Sequence, residues 1–277
     1  MKELLAVELF KIRKQRMTFY GLAAVLVLVA FIMVSAFFQG RGFLDIMLKN
    51  IQDSFEFQGD LLNANLIIYL VLNSLWFHIP LILMVVVSGF LTTEYKDGTV
   101  EAVLLHPVSR WKFITSKYLA TAIFTILLVG ILMMATFISA YIFFGGGDLV
   151  VFLDGLSFYE SGEALRRLFG AFLSGIFIAL FYAVAGLTLA VLFRESTITW
   201  IVSAFFLIVT TMLLKYDFGW SVLNSYFFPK LIDSWQYFFY YDIPFNTIWI
   251  KNAVLFGYTI LFALTGIWIF NKRDIKP

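Results

Sequence analysis

Few side chains in this sequence can do covalent, acid–base or metal chemistry. The chain contains no cysteine and only two histidines, His78 and His106, which excludes disulfides, thiolate nucleophiles, Cys-ligated metals and an all-histidine metal site. The phosphate-binding pattern G-x-x-x-x-G-K-[ST] does not occur, and the glycine cluster at 145–147 has no lysine after it. We therefore expect a chain that is not an enzyme and has no catalytic residue, metal or cofactor of its own.

A polar segment between two long apolar runs is the most informative part of the sequence. It reads EYKDGTVEAVLLHPVSRWKF, residues 94–113. Residues 96–98 predict a turn and residues 99–105 a short helix, which Pro107 ends because the residue before a proline is disfavoured in the α region. One face of this helix is apolar and consists of Val100, Val103 and Leu104. Such a helix is suited to dock in a groove of a soluble partner and to pass movement to both flanking helices.

The helix that follows this segment is predicted to begin after Ser109, whose hydroxyl is expected to cap it. Arg110, Trp111, Lys112 and Lys117 come next. This mixture of basic and aromatic side chains predicts an anchor at the cytoplasmic membrane interface. Positive charge at a helix start interacts unfavourably with the helix dipole, but the free energy of membrane anchoring is expected to outweigh this small cost.

The elements that hold the polar segment are predicted membrane spans. Of 277 residues, 61% are hydrophobic and 14% charged, and the mean hydropathy is +0.90, whereas a soluble domain carries roughly 25% charged residues. An apolar run of about 18 residues or more can cross the hydrocarbon core as a helix. Such runs occur at 17–38, 65–93, 114–144, 168–193, 197–214 and 252–270. We expect one all-α, six-span transmembrane domain, residues 1–277, with a tight hairpin at 194–196.

The distribution of lysine and arginine predicts the orientation. These residues are more frequent on the side that holds both termini and the segment 94–113, so the positive-inside rule predicts an N-in/C-in protein. Residues 1–16 predict an interfacial helix whose apolar stripe lies in lipid. The apolar stripe consists of Leu5, Leu9 and Ile12. A second, polar stripe consists of Glu8, Lys11 and Gln15. The alternative is an ordinary basic flank that only sets topology.

Charged residues are missing from the middle of the predicted spans. Away from their ends, the six runs contain no Asp, Glu, Lys or Arg, which disfavours ion-coupled carriers and intramembrane proteases. His78 is the ionisable residue near a span middle, two positions before Pro80. Its imidazole is expected to satisfy the backbone carbonyl that the proline frees, or to face a cavity on a transport pathway.

The segment at 94–117 resembles the cytoplasmic segment of ABC-2 type ABC transporter permeases. The matching residues are Glu94, Gly98, Thr99, Glu101, Leu104, Leu105, Pro107, Val108, Ser109, Arg110 and Lys117, while His106 departs from the pattern. The layout is similar as well, with a basic amphipathic N-terminus, six spans, a large loop before the last span and a short basic tail.

The resemblance implies a multi-pass subunit of a prokaryotic cell membrane. Such a subunit dimerises with itself or a close paralogue and binds two copies of a separate ABC ATPase subunit, which hold ATP and Mg. The coupling segment, residues 94–113, would contact the ATPase. The residues implied in this coupling are Glu94, Asp97, Gly98, Thr99, Glu101, Leu104, Leu105, Pro107, Ser109 and Arg110.

Two connections lie on the side opposite the coupling segment. Residues 215–250 are rich in Trp, Tyr and Phe and are broken by Pro229 and Pro244, which predicts short re-entrant or interfacial helices. A surface for an extracytoplasmic partner is an equally compatible interpretation. The connection 145–167 is predicted to be solvated.

Three function classes remain in view. The favoured one is an ATP-driven exporter that works by alternating access on an amphipathic or apolar cargo, such as a peptide, a lipid-like compound or a drug. The second is a non-transporting membrane anchor or sensor subunit. The third, a secondary carrier, is weakened by the charge-free spans. No nucleic acid partner is expected.

Overall fold

The computed structural model describes residues 1–48, 61–153 and 156–273. Within this part of the chain, six helices are long and apolar enough to cross a membrane, which agrees with the number of predicted spans. The helices are α1 Lys2–Lys14, α2 Arg16–Leu48, α3 Ala64–Lys96, α4 Thr99–Leu104, α5 Arg110–Phe144, α6 Ser161–Phe193, α7 Ser196–Lys215, α8 Ser221–Tyr226 and α9 Phe245–Lys272. Residues 274–277, the end of the predicted basic tail, lie outside the described residues.

Helix α6 is the central helix of the bundle. Within its most apolar window 72% of residues are buried, compared with 22% for α2, α7 and α9. Its stripe of Gly175, Ala179 and Ala183 allows a close approach of another helix. Gly175 of this stripe faces α3, the second span, because a Cβ on it would lie 2.9 Å from the Trp76 ring.

The hairpin predicted at 194–196 is confirmed. Helix α6 ends at Phe193 and α7 begins at Ser196. Arg194 takes a left-handed conformation with φ 59°, and the carboxylate of Glu195 accepts hydrogen bonds from the backbone of Thr197 and Ile198. The turn is possible with so few residues because the first residue reverses the chain and the second caps the next helix.

One end of the bundle, called here the α4 end, brings together segments that are distant in sequence. Helix α4 lies there between α3 and α5. The hydroxyl of Ser196 donates to Thr92 Oγ1 at 2.9 Å, so the α6–α7 hairpin is at this end. Arg110 donates to the backbone oxygen of Arg273 at 3.2 Å, which also places the end of α9 there.

The opposite end is covered by a β-hairpin, and the prediction of a solvated connection at 145–167 is therefore wrong. Strands β1 Leu149–Phe152 and β2 Leu156–Tyr159 pair antiparallel, with Leu149 opposite Tyr159. Leu149, Val151 and Tyr159 are buried. Amide groups of Asn63 and Asn65, at the start of α3, donate to backbone oxygens at 147–148 and hold the hairpin on the bundle. The fold is thus not purely helical, because the backbone groups of residues 149–152 pair with those of residues 156–159.

The aromatic segment 215–250 forms short helices, as predicted, but it packs into the protein. Helix α8 is followed by two 3₁₀ helices, Phe228–Leu231 and Ser234–Phe239. Trp235 and Phe239 are each 1% exposed. Arg167 of α6 is 6% exposed and donates to the backbone oxygens of Phe238 and Tyr240 at 2.8 and 2.7 Å. Buried side chains of this segment and of α6 therefore close this end of the bundle.

Candidate functional site at the α4 end

The local structure of the coupling segment agrees with the prediction of a turn, then a short helix, then the end of that helix before Pro107. Gly98 has φ 66°, a left-handed conformation that favours glycine over any residue with a Cβ. Helix α4 then runs over Thr99–Leu104, and the backbone amide of His106 donates to Val103 at 3.2 Å just before Pro107. The helix ends within one residue of the predicted position.

The apolar face of α4 faces the bundle. Val100 is fully buried, and Val103 and Leu104 pack partly buried against the core. Leu105 is 88% exposed, and His106 is exposed beside it. The face available to a partner is therefore the tip at 105–107 and the polar side of α4, because the apolar face is already used by the protein itself.

Two predicted roles at the edges of this segment are wrong. Ser109 occupies the position before α5, but its side chain makes no capping hydrogen bond. Lys117 does not lie at an interface as an anchor, because it is only 3% exposed. A long side chain can be drawn inward when it finds opposite charge there, and Lys117 finds two carboxylates.

Four charged side chains from three helices form a cluster that we call the charge ring: Glu8, Lys11, Glu94 and Lys117. Lys117 Nζ lies 2.7 Å from Glu8 Oε2 and 2.8 Å from Glu94 Oε2. Lys11 Nζ lies 2.9 Å from Glu8 Oε1 and 3.0 Å from Glu94 Oε1. Each carboxylate thus contacts both ammonium groups, and opposite charges alternate around the ring.

The charge ring is electrically balanced, and all of its members except the partly exposed Lys11 are buried. Glu8 is 5% and Glu94 6% exposed. Burial by itself would raise the pKa of Glu8, but Lys117 and Lys11 hold that pKa below its ordinary value of 4.5. Burial likewise opposes the charge of Lys11, but Glu8 and Glu94 raise its pKa above 10.5. Both groups therefore keep their charges across the neutral range.

The charge ring changes the interpretation of the N-terminal helix. Leu5, Leu9 and Ile12 pack against the protein core, so the prediction that this stripe lies in lipid is wrong. Val7 and Phe10 are the outward apolar residues, 50% and 62% exposed. The stripe turns inward because Glu8 lies next to it and is drawn to Lys117.

A cleft of about 610 Å³ opens between α1 and the coupling segment. Phe10 and Lys14 line it from α1, and Thr99, Val103 and His106 line it from the other side. Lys11 and Glu94 also line the cleft, which makes the charge ring one of its walls. A partner that enters this cleft would meet α1, α4 and the charge ring together.

The implied coupling residues are divided by the structure into exposed and buried groups. Asp97, Gly98, Thr99, Leu105, Pro107 and Arg110 are exposed, and Glu101 and Leu104 are partly buried. Glu94 is buried in the charge ring, and its backbone oxygen accepts a hydrogen bond from Thr99 Oγ1 at 3.3 Å. Glu94 is thus placed to hold α4 on the bundle, whereas the exposed residues are placed to contact a partner.

His78 does not belong to this site. It lies in the middle of α3, 16 residues before Glu94, which corresponds to about 24 Å along a helix. Its Nδ1 lies 2.9 Å from the backbone oxygen of Ser74, two residues before Trp76, whose carbonyl loses its helical partner at Pro80. The side chain of His78 is exposed, as are those of Asn73 and Ser74 on the same helix.

Sequence reasoning missed the charge ring because its members are far apart along the chain. Lys117 and Glu8 are 109 positions apart, and Lys11 and Glu94 are 83 apart. One signal was available: Glu8 lies beside an otherwise apolar stripe, and Lys117 lies inside an apolar run. Charges in apolar surroundings are normally retained in pairs.

Residues 22–276 match the family described as "Protein of unknown function (DUF2705)". The chain belongs to this family. It is also 28% identical over 205 residues to "Uncharacterized protein YhcI" of Bacillus subtilis (strain 168). That alignment covers 69% of this chain and 63% of the relative's length. The family match begins after α1, so it includes Glu94 and Lys117 but not Glu8 and Lys11.

Proposed function

We propose that the protein is the membrane-spanning permease subunit of an ATP-driven exporter of the ABC-2 type. The observation that carries the proposal is the position of α4, a short helix fixed between two long spans with an exposed tip at 105–107. Its neighbour α1 forms the other wall of a cleft that is open to a partner. A soluble ATPase that docks there could pull on several spans at once.

The orientation is part of the same proposal. The α4 end faces the cytoplasm, so that both termini are cytoplasmic and the β-hairpin end faces outward. The excess of lysine and arginine in the connections at the α4 end supports this orientation. The membrane is a prokaryotic cell membrane, and the complex contains two ATPase copies and two copies of this chain or of a close paralogue.

The transported cargo is amphipathic or apolar, such as a peptide, a lipid-like compound or a drug. Exposed polar side chains on α3, namely Asn73, Ser74 and His78, support a pathway along this helix, because polar groups in the hydrocarbon region normally face a cavity or another protein. His78 is the pathway group with an ionisable side chain. ATP and Mg belong to the partner subunits.

The test is co-purification of the native chain and of the variant Leu105→Glu with a candidate ABC ATPase from the same organism. Leu105 is 88% exposed, so the substitution removes little packing within the chain and places a charge on the proposed docking tip. We expect the native chain to retain the ATPase and the variant to retain at most about one tenth, because a misplaced interface charge costs several kcal/mol. Val222→Glu is the matched control, since Val222 is 52% exposed at the opposite end.

The outcomes separate the alternatives. Equal retention by both variants would place docking elsewhere and contradict the role of α4. Failure of the native chain to retain any ATPase, with correct membrane insertion, would contradict the permease proposal and favour the anchor or sensor subunit.

A further inference from the structure

The charge ring joins three helices that the sequence keeps apart. Glu8 and Lys11 come from α1, Glu94 from the end of α3, and Lys117 from the second turn of α5. Each carboxylate contacts a lysine from α1 and the lysine from α5. No pair in the ring can separate without changing a second contact, since every charged group is shared.

The surroundings make separation unfavourable. The ring's two carboxylates and Lys117 are each at most 6% exposed. A charge that loses its partner in such a site remains desolvated and uncompensated, which is far more costly than the loss of a surface ion pair. Sliding one helix past another would create such charges, so the ring resists relative movement of its three helices.

The ring is also connected to the coupling segment and to the first span. The backbone oxygen of Glu94 accepts the hydrogen bond of Thr99, the first residue of α4. Thr18 of α2 donates through Oγ1 to the backbone oxygen of Ile12 at 2.5 Å, which links α2 to α1. These hydrogen bonds connect α4 to Glu94 of the ring, and they connect α1, which carries Glu8 and Lys11, to the span α2.

We infer that the charge ring is a rigid joint: it makes α1, the end of α3 and the start of α5 move as one body. The joint itself depends only on the chain's own contacts. Its use in transport, to carry the movement of α4 into spans one and three together, rests on the proposed function.

Hydrogen–deuterium exchange of the purified full chain tests the joint without any partner. In the native chain we expect the amides of α1, the last turns of α3 and the first turns of α5 to open together. In Lys117→Met, these three regions should exchange at least about tenfold faster, because Glu8 and Glu94 then share Lys11 alone and the buried site holds one uncompensated negative charge. Exchange in the β-hairpin should not change. Arg13→Gln is the matched control, since Arg13 is an exposed basic residue of α1.

A second variant separates the joint from simple packing and remains informative if Lys117→Met does not fold. Glu8→Leu with Lys117→Met removes one charge of each sign and leaves the contact between Lys11 and Glu94. Apolar replacement of an ion pair often preserves stability, so α1 should stay docked. We expect α1 to open independently of α5, so that the amide exchange rates of the two regions differ by at least about tenfold.

Two results would overturn the joint. One is faster exchange confined to α1 in Lys117→Met, which would show that the ring only fixes α1 to the bundle and does not couple it to α3 and α5. The other is native exchange with common opening of all three regions in the double variant, which would show that packing, without the charges, is sufficient.

The partner experiment is separate. If the ATPase co-purifies, addition of a non-hydrolysable ATP analogue should alter exchange at the start of α5 in the native complex and not in the double variant, at equal ATPase retention. An equal change in both complexes would overturn the joint's use in transport. Failure of the native chain to bind ATPase would overturn the proposed function while the exchange results still decide the joint.

Discussion

At the scale of single residues, the most informative result is that the charged side chains of Glu8 and Lys117 are buried inside the protein. Both residues were expected at or near a membrane interface, where a charged head group can remain in water. They are instead paired across two helices and buried. Their burial is acceptable only because all four members of the ring have opposite charges within contact.

The charge ring predicts a defined pH response of α1. Because the pKa of Glu8 is lowered in the folded chain, its contribution to stability is present above the ordinary value of 4.5 and is lost as the pH falls through the lowered folded value. Because the pKa of Lys11 is raised, its contribution is present below 10.5 and is lost as the pH rises through the raised value. The charged groups that face Glu8 are Lys11 and Lys117, with Glu94 across the ring.

The measurement uses a nitroxide label on Val7→Cys, in a chain that has no other cysteine. We expect the spectrum of the label to be constant from about pH 5 to about pH 9 and to become mobile below the ordinary carboxyl range. A label on Trp220→Cys, which is 60% exposed at the other end, reports general acid unfolding. Mobility that changes between about pH 6 and pH 8 at Val7 alone would contradict the charge assignment of the ring.

At the scale of elements, the packing of α3 on α6 depends on small residues at defined positions. A Cβ on Gly186 would lie 2.8 Å from Met84 Cα and 3.0 Å from the Met84 backbone oxygen. These neighbours are backbone atoms, which cannot rotate away as a side chain can. The central pair of helices can approach closely because Gly186 has no side chain.

The corresponding prediction is that Gly186→Ala destabilises the chain by about 1 to 3 kcal/mol, since α3 must move to admit the methyl group. Gly130→Ala in α5 is the control, because nothing lies within 4 Å of its Cβ position and alanine favours a helix by about 1 kcal/mol. Thermal unfolding in detergent measures both. A Gly186→Ala chain as stable as the control would contradict the described approach of α3 and α6.

The elements were the most predictable level of this structure. The six long helices, the 194–196 hairpin and the limits of α4 follow from apolar run length, from capping residues and from Pro107, all of which act over a few neighbouring residues. The β-hairpin at 149–159 was missed although its strands, LVVF and LSFY, are largely apolar and flank Asp154-Gly155, a dipeptide typical of hairpin turns. The direction in which α1 turns its apolar stripe was missed because Lys117 decides it from 109 positions away.

At the scale of the whole molecule, the two ends of the bundle are closed differently. The α4 end has a cleft bordered by the charge ring. The hairpin end is held by Arg167, which donates to the backbone oxygens of Phe238, Tyr240 and Tyr241 and stacks on Tyr159 with 4.1 Å from its guanidinium carbon to the ring centre. One side chain thus joins α6, the β-hairpin and the aromatic segment.

We expect Arg167→Gln to destabilise the hairpin end by on the order of 3 kcal/mol, because several buried carbonyl groups lose a charged donor. Hydrogen exchange over residues 234–241 should increase, whereas exchange in α1 and α4 should stay native. Arg166→Gln is the control, because Arg166 is exposed and its Nε donates to the backbone oxygen of Gly162, one turn earlier in the same helix. An equal effect of both variants would show that Arg167 does not hold the aromatic segment on the bundle.

The sequence by itself determined that the chain has six helices long and apolar enough to cross a membrane, with a turn, a short helix and a proline stop between the second and the third. These features follow from local apolar length and backbone preference, which need no knowledge of distant residues. Only the tertiary structure decided that Glu8, Lys11, Glu94 and Lys117 meet. It also decided that the apolar face of α4 is used internally and that Trp235 and Phe239 of the aromatic segment are buried. These outcomes depend on which distant surfaces come together, because desolvated charges and large apolar side chains take the partners that the folded chain places beside them.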